Sequence, residues 1–235
     1  MKPKIKITKH GPYVVTGNLP IDKEYLVSTA GQKYPDVWQK GEEYPRKETC
    51  ALCRCGHSAD KVFCDGTHAK IEFAGIETAS RKDYADMAET TCGPGLDLTD
   101  AESLCAVACF CHRAPGDTWE HAEKSDDPKL KQMAIEEVGN CPSGRLVAWE
   151  KISGQPIEPK FEPSISVTED VVQKVSGPLW VKGGVAIEAA DGFAYEVRNR
   201  VTLCRCGRSA NKPFCDGNHC KIKFNDGDEA ISSSP

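Results

Sequence analysis

The stretch CRCGHSADKVFCDGTH, residues 53–68, is written again with few changes as CRCGRSANKPFCDGNH, residues 204–219. Carried on to Phe73 and Phe224, the alignment keeps fifteen of twenty-one positions identical, which marks an internal duplication. Side chains two apart in an extended chain point the same way, so Cys53 and Cys55 can present two thiolates to one metal ion, with Arg54 facing elsewhere. Cys64 and His68 are four apart, a spacing that sets both on one face of a helical turn, and the Asp65-Gly66 between them suits a helix start. Those two can serve a second ion. The second copy supplies Cys204, Cys206, Cys215 and His219 in the same pattern. Two chemistries fit this donor set: one tetrahedral zinc in a Cys3His shell, and a 2Fe-2S cluster whose irons each take two protein ligands. Spacing alone does not separate them.

Outward from the cysteines, HGPYVVTGNLPI (residues 10–21) parallels SGPLWVKGGVAI (residues 176–187), but lies fifteen residues further from its cysteine loop. The first copy therefore carries an insertion, near STAGQKYPDVWQKGEEYP. In both copies YVVTG and LWVKG read as short strands, and AADGFAYEV holds an Asp-Gly turn signal. Between the copies, Thr99 and Glu102 have capping-box spacing and predict a helix start, and DPKLKQMAIEEVGNC predicts a helix with Leu130, Met133, Ala134 and Val138 on one face. The three prolines of GQPIEPKFEP predict an extended linker. The resulting division is residues 1–86, 87–152 and 153–235.

Thirteen cysteines in 235 residues, an odd count in tight C-x-C spacing with interleaved histidines, suit metal coordination in a reducing compartment better than a disulfide framework. The basic N-terminus lacks the apolar core of a signal peptide, and no run reaches the roughly 18 apolar residues of a membrane span, so a soluble, cytoplasmic protein is expected. A formal charge of -5 gives no electrostatic support for nucleic-acid binding. No phosphate-binding glycine loop, nucleophile elbow or cysteine with an evident base is present, so no catalytic residue is assigned.

The pattern C-x-C-x2-Ser-x3-(Pro)-x-C-D-G-x-His resembles the CDGSH iron-sulfur family, and both copies match it at every ligand position. The first copy has Val62 where the second keeps Pro213, a departure that touches loop shape and not ligands. The resemblance implies a 2Fe-2S cluster on Cys53, Cys55, Cys64 and His68, and a second on Cys204, Cys206, Cys215 and His219. It implies small β-rich units, which in such proteins commonly pair as homodimers; one chain with two copies is expected to build that pair internally and remain a monomer. Asp65 and Asp216 are expected to cap the following helix, and Ser58 and Ser209 to donate hydrogen bonds to cluster sulfurs. Cys50 and Cys220 have no counterpart in the other copy and read as ordinary small side chains.

The middle segment holds Cys92, Cys105, Cys109, Cys111 and a remote Cys141-Pro142. Cys105 and Cys111 occupy the outer positions of a C-x2-C-x2-C loop whose middle position is Ala108, which has no ligand atom. The pattern, with CPSG at residues 141–144, resembles divergent mono-cluster ferredoxin domains of α+β fold. This implies a 3Fe-4S cluster on Cys105, Cys111 and Cys141, or a 4Fe-4S cluster if Cys109 or Cys92 adds a fourth thiolate. The expected function is electron transfer with an unidentified redox protein. Storage or transfer of a cluster to an apo-acceptor protein, or redox and pH sensing, is the alternative, and a zinc-stapled binding module is a third reading.

Overall fold

Alternation of apolar and polar residues sets up the strands of the first copy: Ile5, Ile7, Tyr13 and Val15 are buried while their neighbours reach solvent. In the computed structural model, which describes residues 2–29 and 31–232, the first copy supplies β1 (Lys4–Ile7), β2 (Tyr13–Thr16), β3 (Ile21–Val27), β4 (Val37–Glu43), β5 (Thr49–Leu52) and a single turn of helix, α1 (Thr67–Lys70). The middle segment supplies β6 (Glu89–Cys92), β7 (Leu96–Asp100), α2 (Thr118–Glu123), α3 (Pro128–Asn140), β8 (Leu146–Glu150) and β9 (Pro156–Ile157). The second copy supplies β10 (Ser164–Asp170), β11 (Val175–Lys182), β12 (Ala186–Glu188), β13 (Arg200–Leu203), α4 (Asn218–Lys221) and α5 (Glu229–Ser232).

The two copies do not keep to themselves. One sheet runs β12-β1-β2-β5 and a second β13-β11-β10-β3-β4, so each contains strands of both copies. The joins, β1 with β12 and β3 with β10, are parallel, whereas every other ladder between these strands is antiparallel. Between the sheets lies one apolar core, in which Ile5, Ile7, Tyr13 and Val15 meet Ile165, Val167, Leu179, Val181, Val201 and Leu203. Full burial of such side chains is worth about 1.5–3 kcal/mol each. The opposite face of the five-stranded sheet carries Ser166, Trp180, Lys182 and Arg200, and these buried polar groups are largely paired: Lys182 lies 2.5 Å from Glu24, and Ser166 donates to Asp22.

The middle segment forms its own antiparallel sheet, β6-β7-β8-β9, with α2 and α3 packed on it through Ala122, Ala134 and Val138. Asp117 and Asp127 cap these helices, accepting from the amides of Glu120 and Lys129. On α3, Ala134 and Val138 are buried as the periodicity predicts, Leu130 and Met133 are half-buried, and Glu137 joins the buried face. The expected capping-box helix at Thr99 does not form: Thr99 and Asp100 end β7, paired with Val147 and Leu146 of β8, and only a 3-10 turn, Glu102–Leu104, follows. Cross-strand pairing and the Arg145 bonds to the Asp100 carboxylate outcompete the local cap. The proline-rich stretch is also not wholly free, since Pro156 and Ile157 pair with β8.

The insertion in the first copy is β4, an edge strand on β3. Its Trp38 ring sits 4.5 Å from that of Trp180 and 5.0 Å from that of Phe110, and its Nε1 donates to the carbonyl of Asn140, so one side chain ties the first copy to both other segments.

Candidate metal centres

Each repeated loop folds into two facing donor pairs. Cys53 and Cys55 leave the end of β5 with their Sγ atoms 3.7 Å apart, and Cys64 Sγ lies 3.2 Å from His68 Nδ1. In the second copy the separations are 3.8 Å for Cys204 and Cys206 and 3.3 Å for Cys215 and His219. The histidine rides on the one-turn helix, while its partner cysteine precedes that helix and does not share a face of it. Among the described residues no three Cys, His, Asp or Glu side chains converge as a single ion would require. The donors come two by two. That suits a two-iron group with two protein ligands per iron.

The loop walls hold these donors in place. Asp65 accepts from the amides of Ala59 and Thr67, and those bonds depress its pKa; Asp216 makes the same bonds to Ala210 and Asn218. The aspartate thus staples the two arms of the loop together as well as serving the helix end. The serines act differently from expectation. Ser58 Oγ donates to the carbonyl of Phe63 at 2.6 Å and accepts from Asp60 N, and Ser209 does the same with Phe214 and Asn211, so each hydroxyl proton is spent on backbone and not on sulfur. Amides take the sulfur-facing role: Gly217 N lies 3.5 Å from Cys215 Sγ. Burial pushes the thiols of Cys64 and Cys215 up, against the bonds from the Gly66 and Gly217 amides, and that of Cys55 to about 11. Binding of metal here must therefore displace protons.

Arg54 and Arg205, the residues between the paired cysteines, turn away from the donors, as the extended-chain argument expects, but they are buried and not solvated. Arg54 Nε donates to Gly11 O, and its guanidinium also reaches Thr8 and Gly75; Arg205 Nε donates to Gly177 O and bonds Glu169 and Asp226. Gly11 and Gly177 are the same position of the duplicated Gly-Pro, so each arginine locks its cysteine loop onto its own strand. Their identity in both copies was the available signal.

In the middle segment, Cys105, Cys109, Cys111 and Cys141 line one small cavity. Burial, then the neighbouring Cys141 and Cys105, drives the Cys111 thiol far up, as expected for sulfur atoms gathered in one apolar place. Cys92 is not among them. It sits exposed on β6, opposite Asp97, because the strand pairing that creates β6 carries it to the sheet edge. Cys141 closes α3, and the loop after it is clasped by arginines of the second copy: Arg200 donates to the carbonyls of Val138 and Cys141, and Arg198 to those of Ser143 and Gly144. Cys105, Cys111 and Cys141, with Cys109 beside them, make a thiol-only donor set, which suits an iron-sulfur cluster.

The three loops touch in sequence. A Cβ on Gly56 would lie 2.6 Å from the carbonyl oxygen of Cys206, and one on Gly207 2.4 Å from that of Cys55, so only glycine allows the two repeated loops this backbone contact. Tyr13 of the first copy donates to the carbonyls of Cys204 and Pro213. On its other side the second loop meets the middle one: Gly217 packs on Val107, Asn211 donates to Ser103 O, and Gln173 donates to Val107 O. Cys220, read from sequence as unremarkable, lies at this junction within the electrostatic reach of Cys109 and Cys105. The surroundings of the two histidines differ accordingly. His68 is half-exposed in an open hollow beside Lys9 and His10, whereas His219 is only 4% exposed.

Comparison with known families agrees with this architecture. The family model described as iron-binding zinc finger CDGSH type matches residues 10–69 and again residues 176–220. One described as divergent 4Fe-4S mono-cluster matches residues 92–151. Neither curated proteins nor solved structures gave a match. No helix among the described residues is long and apolar enough to cross a membrane.

Proposed function

Because the chain consists of two CDGSH-type iron-binding segments around a divergent 4Fe-4S mono-cluster segment, we propose that it is a soluble, monomeric electron carrier whose two repeated loops form an internal pseudo-dimer. Cys53, Cys55, Cys64 and His68 would hold one 2Fe-2S cluster, and Cys204, Cys206, Cys215 and His219 another. Cys105, Cys111 and Cys141 would hold a 3Fe-4S cluster, and Cys109, in the same cavity, is the thiol that would complete a 4Fe-4S cluster. When bound, such groups supply one-electron exchange, at potentials raised where imidazole replaces a thiolate.

The observation that carries this reading is the contiguity of the three donor loops, Cys55 against Gly207 and Gly217 against Val107, with the second loop between the other two. The buried second loop excludes water from the middle of the series. The half-exposed His68 leaves the first loop open to a redox partner. All thirteen cysteines are unpaired, which fits a reducing compartment such as the cytoplasm.

The test is an anaerobic count of iron and acid-labile sulfide with EPR spectra, followed by stopped-flow reduction. About seven irons per chain with an oxidised-state signal of a three-iron cluster supports the assignment, and about eight irons without that signal brings Cys109 into the shell. Zinc without sulfide overturns it, as does an obligate dimer by light scattering for the pairing within one chain. The exposure of Cys64 and His68 also favours a second reading, donation of a cluster to an apo-acceptor protein. Faster movement of iron to an apo-acceptor than of electrons to an acceptor dye would make that the primary activity.

A further inference from the structure

The duplication sets the same arginine between each pair of cysteines, but it does not set the same charges around it. Arg54 and Arg205 are 1% and 3% exposed, and each donates through Nε to the matching glycine carbonyl, Gly11 or Gly177. Arg205 is further paired with Glu169, at 2.8 Å, and with Asp226. Arg54 is not so neutralised. Among the described residues its acceptors are three carbonyls, those of Thr8, Gly11 and Gly75, and its buried Nη1 has none. The origin lies in two sequence positions. Thr8 and Thr168 hold equivalent places, each donating its hydroxyl to the next proline carbonyl, Pro12 or Pro178, and accepting the arginine on its own carbonyl. The residue that follows is Lys9 in the first copy and Glu169 in the second, and Gly75 stands where the second copy has Asp226.

We propose that this unequal neutralisation makes the two repeated loops unequal electron acceptors, the first holding an electron more tightly than the second, so that reducing equivalents come to rest at the half-exposed His68. The inference rests on the reading of both loops as 2Fe-2S sites. An electron adds one negative charge where it lands, and the potential of such a site follows the net charge around it. Around the second loop the carboxylates of Glu169 and Asp226 offset Arg205, whereas around the first the guanidinium of Arg54 is left to favour the added charge. Both arginines are near enough to act. A Cβ on Gly11 would lie 3.5 Å from His68 Nε2, so the residue that holds Arg54 adjoins the histidine, and Arg205 lies within electrostatic reach of His219. When an electron passes from the reduced second site to the oxidised first, the second is oxidised and the first reduced, and no other reactant is required.

Surface charges run the other way. His57, Asp60 and Glu72 stand where the second copy has Arg208, Asn211 and Lys223. The charged members of this set are exposed, so water and salt screen them, whereas Arg54 and the group of Arg205 with Glu169 lie out of solvent, where charges act several times more strongly. The buried set therefore decides the order. Its carboxylates are ionised in mildly alkaline solution. Burial opposes the charge on Asp226, but Arg205 and Ser176 outweigh it and hold the carboxyl below its ordinary value; burial pushes Glu169 up to about 7 against the pull of Arg205.

The experiment is an anaerobic dithionite titration of the full-length, iron-loaded protein at pH 8, followed by visible circular dichroism and by EPR of the reduced 2Fe-2S signals. Iron and acid-labile sulfide are counted on every sample. Two 2Fe-2S midpoints are expected, with the first site favoured about tenfold, or about 59 mV for one electron. Glu169→Gln combined with Asp226→Asn should raise the lower midpoint alone and narrow the gap, and Asp226→Asn by itself serves if the double variant folds poorly. Arg54→Gln should lower the higher midpoint alone. Arg54→Lys, which keeps the charge, should leave that midpoint near its wild-type value, a distinction that a merely structural arginine would not make. Glu72→Gln, an exposed control, should leave the gap unchanged. Coincident wild-type midpoints, a gap that the carboxylate variants leave as it was, or a rise in the higher midpoint in their place overturns the proposal. Wild-type protein without 2Fe-2S spectra would overturn the cluster reading itself, and this inference with it.

Discussion

Replacing Gly217 by alanine tests the contact between the second metal loop and the middle segment, because the duplication supplies its own control. Gly66 and Gly217 hold the same place in the two loops, with φ of +88° and +78°. Alanine at either position pays the left-handed backbone penalty of about 1–2 kcal/mol. The surroundings differ. A Cβ on Gly66 meets nothing within 4 Å, whereas one on Gly217 would lie 2.1 Å from Val107 Cγ2. Val107 has little freedom to yield, being itself at a positive φ of 58° and bonded through its carbonyl to Gln173. Overpacking of this kind costs about 1–3 kcal/mol more. At roughly 2–4 °C per kcal/mol for a chain of this size, Gly217→Ala should melt at least about 2 °C below Gly66→Ala at one scan rate, with visible circular dichroism reporting on the metal loops. Val107→Ala combined with Gly217→Ala should recover the difference. Equal melting of the two glycine variants, or failure of Val107→Ala to rescue, would refute the idea that these loops bear on each other.

Three further outcomes are expected. Ser58→Ala and Ser209→Ala should each cost about 1–2 kcal/mol through the orphaned carbonyls of Phe63 and Phe214, while leaving visible absorption and reduction potential unchanged; a shifted potential would mean that the hydroxyl serves sulfur after all. Iron should leave the half-exposed first loop before the buried second one under a chelator, so that His68→Cys, but not His219→Cys, slows the fast phase of loss. In the middle segment, both ring nitrogens of buried His121 face acceptors, Glu137 and the Pro115 carbonyl; burial opposes the charged ring, but these bonds outweigh it and raise the pKa above 6.5. Burial, opposed by the His121 and Thr118 bonds, also raises Glu137 above 4.5. A raised folded-state pKa stabilises below the unfolded value and loses that contribution as pH rises through the folded one, so wild-type melting temperature should fall from pH 5 to pH 9, and the double variant His121→Leu, Glu137→Leu should flatten that fall.

The approach of Cys53 to Cys55 and of Cys64 to His68 was legible because donors that act together recur at fixed spacing, and spacing is what a sequence displays. Where competing bonds decide the outcome, it displays less. Ser58 has the right position to reach sulfur, yet the nearby carbonyl of Phe63 takes its proton. Thr99 and Glu102 satisfy a capping rule, yet strand β8 claims Thr99 first. Cys220 was passed over because the duplication offers it no counterpart; its place beside Cys109 arises only when the middle segment folds against the second copy. The exchange of strands between copies was illegible for a related reason: alternation marks a strand and its buried side, but any strand of matching pattern can be its neighbour.

That exchange fixes an order of events during synthesis. Asp22 and Ser166 lie 144 residues apart, and Lys4 and Glu188 184 apart, yet each pair is bonded across strands that close a sheet. The first cysteine loop therefore leaves the ribosome long before β10 and β12 exist to complete the sheets behind it. The middle segment, whose four strands all lie between residues 89 and 157, needs no such wait. Its sheet can close while the ends of the chain are still unmatched, whereas the clasp of Arg198 and Arg200 on the loop after Cys141 and the closing of both larger sheets wait for β12 and β13 to emerge.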